Sequence, residues 1–323
     1  MEDGDIKQKA QNFSIKEVNI FFIILAVLFL TFGAYVQSRE LISGLLITEF
    51  GLLALPVLVY SIVKKKDVKS IFRFKRLPFS AAMKIIVLAA LFLPTIAVAN
   101  LVSLFIIEIF GTSIDFSIPS ASTGPEFLLL FAVIAGSAGL CEEIFFRGAV
   151  LNGYETELGL KWGAVFSGLL FGIFHFNPQN LFGPIILGIV FSYLVQLTGS
   201  IFASIIAHTT NNGIAVTMGY LLNVFSPGNV DDTGLIFESV DVILGVMAFY
   251  LIIGLICYQG IKAIITSLKI QFPIVNQVDD INQTIEKSSS LWGQEKLKIK
   301  MENLWPIGLS IMIYGLVVFI AYF

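Results

Sequence analysis

Charged residues are scarce in this chain. Only 13% of its 323 residues are charged, whereas 56% are hydrophobic, and so few polar groups cannot coat a water-soluble globule. Lipid must therefore solvate much of the molecular surface. The net charge of −3, without a basic patch in the sequence, argues against nucleic acid as a partner.

Cysteine and histidine are scarcer still. The two cysteines, Cys141 and Cys257, both lie inside apolar runs, which leaves no basis for a disulfide framework or a thiolate metal cluster. The two histidines, His175 and His208, also lie inside apolar runs rather than in loops. Because an ionisable group at membrane depth is costly, each histidine there needs a partner and a function.

Long apolar runs are what the sequence has in abundance. A helix needs roughly 20 apolar residues to cross a bilayer. The candidate runs cover residues 19–37, 41–63, 81–108, 126–152, 160–177, 181–198, 201–224, 239–265 and 304–323. We therefore predict an all-α, polytopic membrane helix bundle with about eight or nine transmembrane helices.

The basic loops predict how the bundle is oriented. Lys and Arg in short loops stay on the cytoplasmic side, so residues 64–76, KKKDVKSIFRFKR, are predicted to be cytoplasmic, as is the N-terminus. The loops 111–126 and 226–234 then lie outside, and neither contains Lys or Arg. The segment 262–303, which contains several Lys residues, returns to the inside.

The fourth run, with the sequence AGLCEEIFFRGAV, brings two acids and one base together. Glu143 and Arg147 are four residues apart and share a helix face, while Glu142 is rotated by about 100°. Arg147 can orient one carboxylate through a bidentate pair. The other carboxylate is then available as a general base.

The fifth run is predicted to bring His175 to the depth of this acid pair. In an antiparallel hairpin, residues equidistant from the turn lie at one level, and Glu143 and His175 are each sixteen residues from Gly159. Small residues allow neighbouring helices to approach closely. The small residues of this run are Gly163, Ser167 and Gly168.

The seventh run carries SIIAHTTNNG, where His208 and Asn212 are four apart and point the same way, with Asn211 turned aside. A Glu, a His and this His/Asn pair supply a base, a group that holds or polarises water, and donors for an oxyanion. These are the parts that amide hydrolysis needs. We expect them to face one polar cavity among the fourth, fifth and seventh helices.

Taken one at a time, several of these residues are explained equally well by a structural role. A Glu-x-x-x-Arg pair can simply join helices, and a buried His208 can be a satisfied core residue. Glu49 and Glu108 are also embedded acids, but no basic or His partner is aligned with them in sequence, so helix–helix hydrogen bonding is expected for both. Cys141 is interpreted as packing rather than as a nucleophile.

Signatures of other peptidase classes are absent from the sequence. A zincin helix needs His-Glu-x-x-His, which does not occur. A rhomboid-type serine protease needs Gly-x-Ser-Gly, and the nearest string, GSAG at 136–139, has its Ser in the wrong place. The Gly-x-Gly-Asp motif of aspartyl intramembrane proteases is missing as well.

Three motifs, in order and each on its own apolar run, resemble the CAAX protease and bacteriocin-processing family. They are EExxxR at 142–147, FxxxH at 171–175 and HxxxN at 208–212. The resemblance covers about residues 126–224. It implies an intramembrane endopeptidase similar to type 2 CAAX prenyl proteases, in a prokaryotic plasma membrane. The implied substrate is a membrane-embedded or lipidated peptide, cleaved in CAAX-type processing or in bacteriocin maturation and self-immunity.

The resemblance also implies roles within the site. One Glu activates water with help from a His, the Arg orients the acid pair, and the His/Asn pair stabilises the oxyanion. The six candidate catalytic residues are Glu142, Glu143, Arg147, His175, His208 and Asn212. The family has been described both as metallopeptidases and as metal-independent glutamate peptidases, so zinc is a candidate cofactor. Its candidate ligands are Glu143, His175 and His208.

The domain organisation follows from the same motifs. Residues 1–125 supply N-terminal membrane helices with the basic loop, 126–265 the catalytic bundle, 266–303 a cytoplasmic connector, and 304–323 a C-terminal membrane anchor. Two other functions stay open at this point. One is a non-catalytic scaffold or immunity protein, and the other is a transporter that uses the same buried charges.

Overall fold

The computed structural model describes residues 12–111, 119–225, 240–273, 303 and 305–322. Within these residues the chain is helical and contains no strand. The segment Gly124–Phe174 bends at Gly159 into two arms. The long helices are α1 (Ile15–Arg39), α2 (Leu41–Val63), α3 (Phe79–Phe110), α4 and α5 (the arms before and after Gly159), α6 (Phe182–Thr198), α7 (Phe202–Phe225), α8 (Val240–Gln271) and α9 (Trp305–Tyr322).

Several of these helices match the dimensions of a bilayer. Six helical segments of the described chain, counting Gly124–Phe174 as one, are long and apolar enough to cross a membrane, and α6 is a shorter apolar helix. The predicted all-α membrane helix bundle is confirmed. The chain is an integral, multi-pass membrane protein.

Local sequence explains where the first helices begin. Ser14 and Glu17 form a reciprocal capping box at the start of α1, which satisfies backbone donors that the first turn leaves free. A single extended residue, Glu40, separates α1 from α2, and its carboxylate accepts hydrogen bonds from the backbone N–H groups of Ile42 and Ser43. This cap lets α2 start directly after α1 ends.

The bend between α4 and α5 forms the predicted hairpin. Gly159 has φ 79° and ψ 172°, a conformation that residues with a side chain rarely adopt. The Ser167 hydroxyl donates to the backbone carbonyl of Phe146 at 3.0 Å, and Gly163 lies against Glu155. The two arms therefore pack antiparallel and in direct contact.

Gly168 packs against a different helix from the one expected. A Cβ atom at Gly168 would lie 2.7 Å from the backbone nitrogen of Ile189, and one at Gly188 would lie 2.6 Å from the Gly168 Cα atom. Because one residue along a helix is a rotation of about 100°, Ser167 faces α4 while Gly168 faces α6. Small residues thus bring both neighbours close to α5.

Four stretches of the described membrane helices are π-helical, with hydrogen bonds from residue i to residue i+5. They are Phe29–Gly33, Ile47–Ala54, Phe131–Ser137 and Ile144–Val150. Such stretches are rare and often occur at functional sites. The last two flank the α-helical turns that carry the acid pair of α4.

The core is divided into two large hydrophobic clusters. Helices α1, α2, α4 and α5 build the first, which includes Phe171. Helices α3, α6, α7 and α8 build the second, which includes Phe191. The candidate site lies where the two clusters meet.

The C-terminal helix α9 packs on α1. Asn19 of α1 donates to the Asn303 carbonyl at 2.8 Å and accepts from the Tyr154 hydroxyl at 2.8 Å. At the other end, the Tyr322 hydroxyl donates to Asn177 at 3.4 Å. The helix expected at 304–323 is therefore docked onto the bundle, while the predicted outer loop 226–234 and residues 274–302 of the connector lie outside the described residues.

Candidate active site

The centre of the site is a buried carboxylate with two partners. Oε1 of Glu143 accepts from Arg147 Nη1 at 2.8 Å and from Nδ1 of His208 at 2.8 Å. All three side chains are almost completely buried. The i, i+4 spacing on α4 explains the first contact, whereas the second requires α7 to pack on α4.

Arg147 is held by more than its carboxylate partner. Its Nη2 donates to the Gly188 carbonyl at 3.2 Å. Its guanidinium lies 4.4 Å from the ring centre of Phe171 and 5.2 Å from that of Phe191, so two aromatic faces from the two core clusters stabilise the cation. The expected bidentate pair is wrong, because only Nη1 of Arg147 contacts Glu143, while Nη2 is turned to α6 and Nε has no partner among the described residues.

Glu142 differs from its neighbour in its surroundings. Its residue surface is half-buried rather than fully buried, and its Oε2 atom has no hydrogen-bond partner among the described residues. Glu142 lies within electrostatic range of Arg147, which is itself bound to Glu143. The two adjacent acids thus differ in their contacts: Glu143 is held by an ion pair and a histidine through Oε1, although its Oε2 atom has no partner, whereas Glu142 forms no ion pair among the described residues.

His175 lies at the end of α5 and its protonation pattern can be deduced. Its Nδ1 atom is 2.7 Å from the Phe171 carbonyl oxygen, and since a carbonyl can only accept, Nδ1 carries the proton. In the neutral ring Nε2 is then an acceptor. The ring of Phe171 contacts both His175 and His208, at centroid distances of 4.9 and 5.6 Å, so the two histidines are neighbours across one phenyl ring.

The direct partner of Glu143 is therefore His208 and not His175. The equal distance of Glu143 and His175 from Gly159 predicted depth along the hairpin, but depth does not specify which side chain faces the carboxylate. Among the described residues, no hydrogen bond or ion pair joins His175 to Glu143. His175 instead borders the site through Phe171.

Asn212 is positioned by two hydrogen bonds. Its Nδ2 donates to the Ile134 carbonyl of α4 at 3.2 Å, and its Oδ1 accepts from Asn211 Nδ2 at 3.2 Å. One N–H of the Asn212 amide is not used by these bonds. Asn211, expected to be turned aside, is thus a residue that orients Asn212.

The candidate zinc ligands do not form a metal site. No group of three His, Cys, Asp or Glu side chains with suitable geometry occurs in the part of the chain that the structure describes. Oε1 of Glu143 and Nδ1 of His208 bind each other, and the cationic Arg147 lies beside them. A second cation there would be repelled, so this donor set does not fit zinc.

The cavities of the bundle lie beside this cluster. An apolar cavity of about 390 Å³ between α3, α5, α6 and α8 is lined by none of the six candidate residues. A groove of about 290 Å³ follows α7 beside Phe131 of α4, and its lining includes Thr209 and Gly213, the residues next to His208 and Asn212. Of the two, this groove is the one adjacent to the expected site among α4, α5 and α7.

A comparison with models of known families gives a match within this chain. Residues 124–214 match the family model described as type II CAAX prenyl endopeptidase, Rce1-like. The chain carries an Rce1-like segment. This match covers under a third of the 323 residues but contains all six candidate site residues, and the resemblance to the CAAX protease family is thereby confirmed.

The Rce1-like match supports an intramembrane protease in general, working on a peptide within the lipid bilayer. It assigns no catalytic residue and no particular reaction. No curated protein and no solved structure matches the chain.

Sequence reasoning missed one acid near the site of this Rce1-like segment. Glu49 of α2 was expected to form helix–helix hydrogen bonds, but its Oε2 atom is buried without a hydrogen-bond partner among the described residues. Instead Glu49 interacts electrostatically with Glu142. Only its position in an apolar run signalled importance, since the contact depends on how α2 packs against α4.

Proposed function

We propose that this protein is an intramembrane endopeptidase in which Glu142 activates a water molecule for hydrolysis of a peptide bond. The proposed substrate is a membrane-associated or lipidated peptide, with CAAX-type processing or bacteriocin maturation as the processes it serves. The observation that carries the proposal is the asymmetry of the acid pair. Glu143 is held through Oε1 by both Arg147 and His208, although its Oε2 atom has no partner, whereas the buried Oε2 atom of Glu142 has no hydrogen-bond partner among the described residues and Glu142 forms no ion pair there.

This difference in contacts gives Glu142 and Glu143 different proposed roles. To act as a base, Glu143 would have to give up an ion pair with Arg147 in a fully buried place, which is costly. Glu142 is half-buried and loses no such contact when it takes a proton. Glu143 is then the group that fixes Arg147 and His208.

His175 supports Glu142 as the second acceptor for the attacking water. The carbonyl of Phe171 holds the proton on Nδ1, which leaves Nε2 to accept a hydrogen bond. As the water oxygen bonds to the substrate carbonyl carbon, its proton passes to Glu142. That proton goes to the leaving amine when the C–N bond breaks, which restores the carboxylate.

His208 and Asn212 are the proposed donors to the oxyanion. The remaining N–H of Asn212 is available because its other amide contacts use one N–H and the oxygen. Nδ1 of His208 is occupied by Glu143, so donation to substrate must come from Nε2 in its protonated form. Loss of one oxyanion donor costs about 10²–10³ in rate in other hydrolases.

A cleavage assay with matched glutamate variants tests this assignment. Purified full-length protein in lipid nanodiscs would be given a prenylated C-terminal peptide, the same peptide without lipid, and a hydrophobic transmembrane peptide. Because Gln keeps the shape but cannot take a proton, Glu142→Gln should lower cleavage by about 10²–10⁴-fold. Product release would be measured by mass spectrometry.

Glu108→Gln is the matched control, since Glu108 is a membrane-embedded acid on α3 outside the site. It should cleave at the wild-type rate. Full activity of Glu142→Gln would contradict the assignment of the base. If wild-type protein cleaves none of the three peptides, the enzymatic function is wrong and a non-catalytic role is indicated.

A further inference from the structure

Glu49 is a buried acid for which the proposed reaction has no role. It lies in the π-helical stretch Ile47–Ala54 of α2 and is 6% exposed. This stretch packs against the turns of α4 that end in Glu143. This packing brings Glu49 within electrostatic range of Glu142, and Cys141 interacts electrostatically with both acids.

The two acids present unsatisfied oxygens in the same region. Oε2 of Glu49 and Oε2 of Glu142 are both buried and have no hydrogen-bond partner among the described residues; Oε2 of Glu143 is also without a partner, but Glu143 is held through Oε1. An acid that only joined helices would be expected to place its oxygens on donors of the neighbouring helix. Instead, each acid keeps one buried oxygen without a partner where α2 packs against α4.

Two ionised carboxylates would repel each other strongly in such surroundings. The nearest cation on α4, Arg147, is already bound to Glu143. Helix α1, which also packs on this stretch, has its titratable groups at its two ends: Lys16, Glu17, Tyr35 and Arg39. Glu17 is engaged by Tyr60 and Lys66, and among the described residues no ion pair joins Lys16, Arg39 or Arg147 to Glu49 or Glu142.

We propose that Glu49 is a positioning residue that shares one proton with Glu142, so that the two carboxyl groups together carry a single negative charge. Paired carboxyl groups titrate as a unit for this reason. The inference rests on the proposed function in one respect, the role of Glu142 as the base. In each turnover the proton from water enters this pair and leaves with the amine, while the pair's own proton stays.

Sharing gives Glu49 a definite effect on the reaction. It keeps the second charge out of the apolar core and holds Glu142 as the ionised member that faces the substrate. Glu49 itself touches no reacting atom. Its removal should therefore change how the activity depends on pH, which a purely structural residue would not do.

Infrared spectroscopy tests the shared proton without any substrate. Wild-type protein in lipid nanodiscs at neutral pH should show the carbonyl absorption of a protonated carboxylic acid. Glu49→Gln should lose that absorption, because Glu142 alone is then ionised, while Glu108→Gln should keep it. An unchanged absorption in folded Glu49→Gln protein, or its absence from wild type, would overturn the proposal.

The pH–rate profile supplies the second readout. In wild type both ionisations of the Glu49/Glu142 pair should appear, and Glu49→Gln should remove one of them and lower the rate. Glu108→Gln should reproduce the wild-type profile, and Glu49→Ala should behave like Glu49→Gln. A Glu49→Gln profile that matches wild type would overturn the proposal.

The two experiments separate the two hypotheses. If wild type cleaves no peptide but the infrared result is as expected, the peptidase function fails and the shared proton stands. If cleavage depends on Glu142 but the infrared absorption is unaffected by Glu49→Gln, the function stands and the shared proton fails.

Discussion

The surroundings of Glu143 and Arg147 offset the free-energy cost of burying this ion pair. Removing two charges from water costs several kcal/mol per ion, and a single 2.8 Å contact does not offset this. The Gly188 carbonyl, the two phenyl rings and His208 supply the remaining stabilisation. Because burying these charges costs free energy, the cluster is easier to explain as part of a functional site than as a means of stabilising the fold.

Removing one member of this pair should be far worse than removing both. Arg147→Leu leaves a buried carboxylate without its cation and should destabilise the protein by roughly 3–5 kcal/mol. The double variant Glu143→Leu/Arg147→Leu should regain much of this stability but not peptide cleavage. The measurement is unfolding in mixed micelles, followed by circular dichroism.

Lys161→Leu is the control for this series, because Lys161 is exposed and its loss should stay within roughly 0.5 kcal/mol. A double variant as unstable as Arg147→Leu would show that the uncompensated charge is not the cause.

At the scale of single helices, close packing decides which side chains meet. Helices α5 and α6 touch through glycines, and α4 and α7 approach where Gly139 faces Thr209. Small residues at such crossings are the main means by which membrane helices come close. The crossing of α4 and α7 lies at Thr209, next to His208 in sequence. It therefore sets the distance between His208 and Glu143.

A methyl group at the α5–α6 crossing should separate these helices. The Cβ atom of Gly168→Ala would lie within 2.7 Å of the Ile189 backbone, so the variant should lose roughly 1–3 kcal/mol of stability. Because α6 supplies the Gly188 carbonyl to Arg147, cleavage should fall too. Thermal unfolding and the peptide assay would measure both effects.

The matched control is Gly245→Ala on α8, where an added Cβ meets nothing within 4 Å. Alanine there should be neutral or stabilising by up to about 1 kcal/mol. Equal stability of the two variants would contradict the close-contact explanation.

At the scale of the whole molecule, polar contacts join several helix ends on one face of the bundle. The backbone N–H of Ile15 donates to Glu157 at 2.8 Å, and Arg73 pairs with Glu155. The Ile201 N–H donates to the Arg73 carbonyl at 3.2 Å. The start of α1, the basic loop, the α4–α5 bend and the start of α7 therefore share one face, as the predicted alternation of helices requires.

Which face lies in the cytoplasm stays a prediction from the basic loop. Cysteine labelling would test it, in a background where Cys141 and Cys257 are replaced by Ala. Lys65 and Gly124 are exposed and lie on loops predicted to be on opposite sides. An impermeant maleimide should label Gly124→Cys in intact cells, and Lys65→Cys only after permeabilisation. The reverse pattern would invert the orientation, and the cysteine-free background should stay unlabelled.

Much of the fold could be predicted because hydropathy directly reflects the length of a bilayer crossing. The predicted 239–265 run becomes a helix that continues to Gln271, beyond the apolar residues, since a helix can extend past the hydrocarbon core. The turn at Gly159 was predicted from its polar neighbours and its glycine. The π-helical stretches could not be predicted, because packing against neighbouring helices determines them and the local sequence carries no clear signal.

The site was predictable as a set of residues but not as a set of contacts. An ionisable residue in an apolar run stands out in the sequence because its burial is costly, and the family motifs grouped five of them with Asn212. That these residues act together as one catalytic site remains a proposal. The predicted set of site residues did not include Glu49, because Glu49 belongs to none of the three motifs.

The sequence by itself determined that the chain is a membrane helix bundle and that its few embedded polar groups are exceptional. Composition and periodicity suffice for this, because the cost of placing a charge in lipid depends only on the residue and its depth. The tertiary structure alone decided that Glu143 binds His208, that Glu142 forms no ion pair among the described residues, and that Glu49 lies on a stretch of α2 that packs against the turns carrying Glu142. Those relations depend on which helix faces pack together, and that is settled by the whole bundle and not by any one segment.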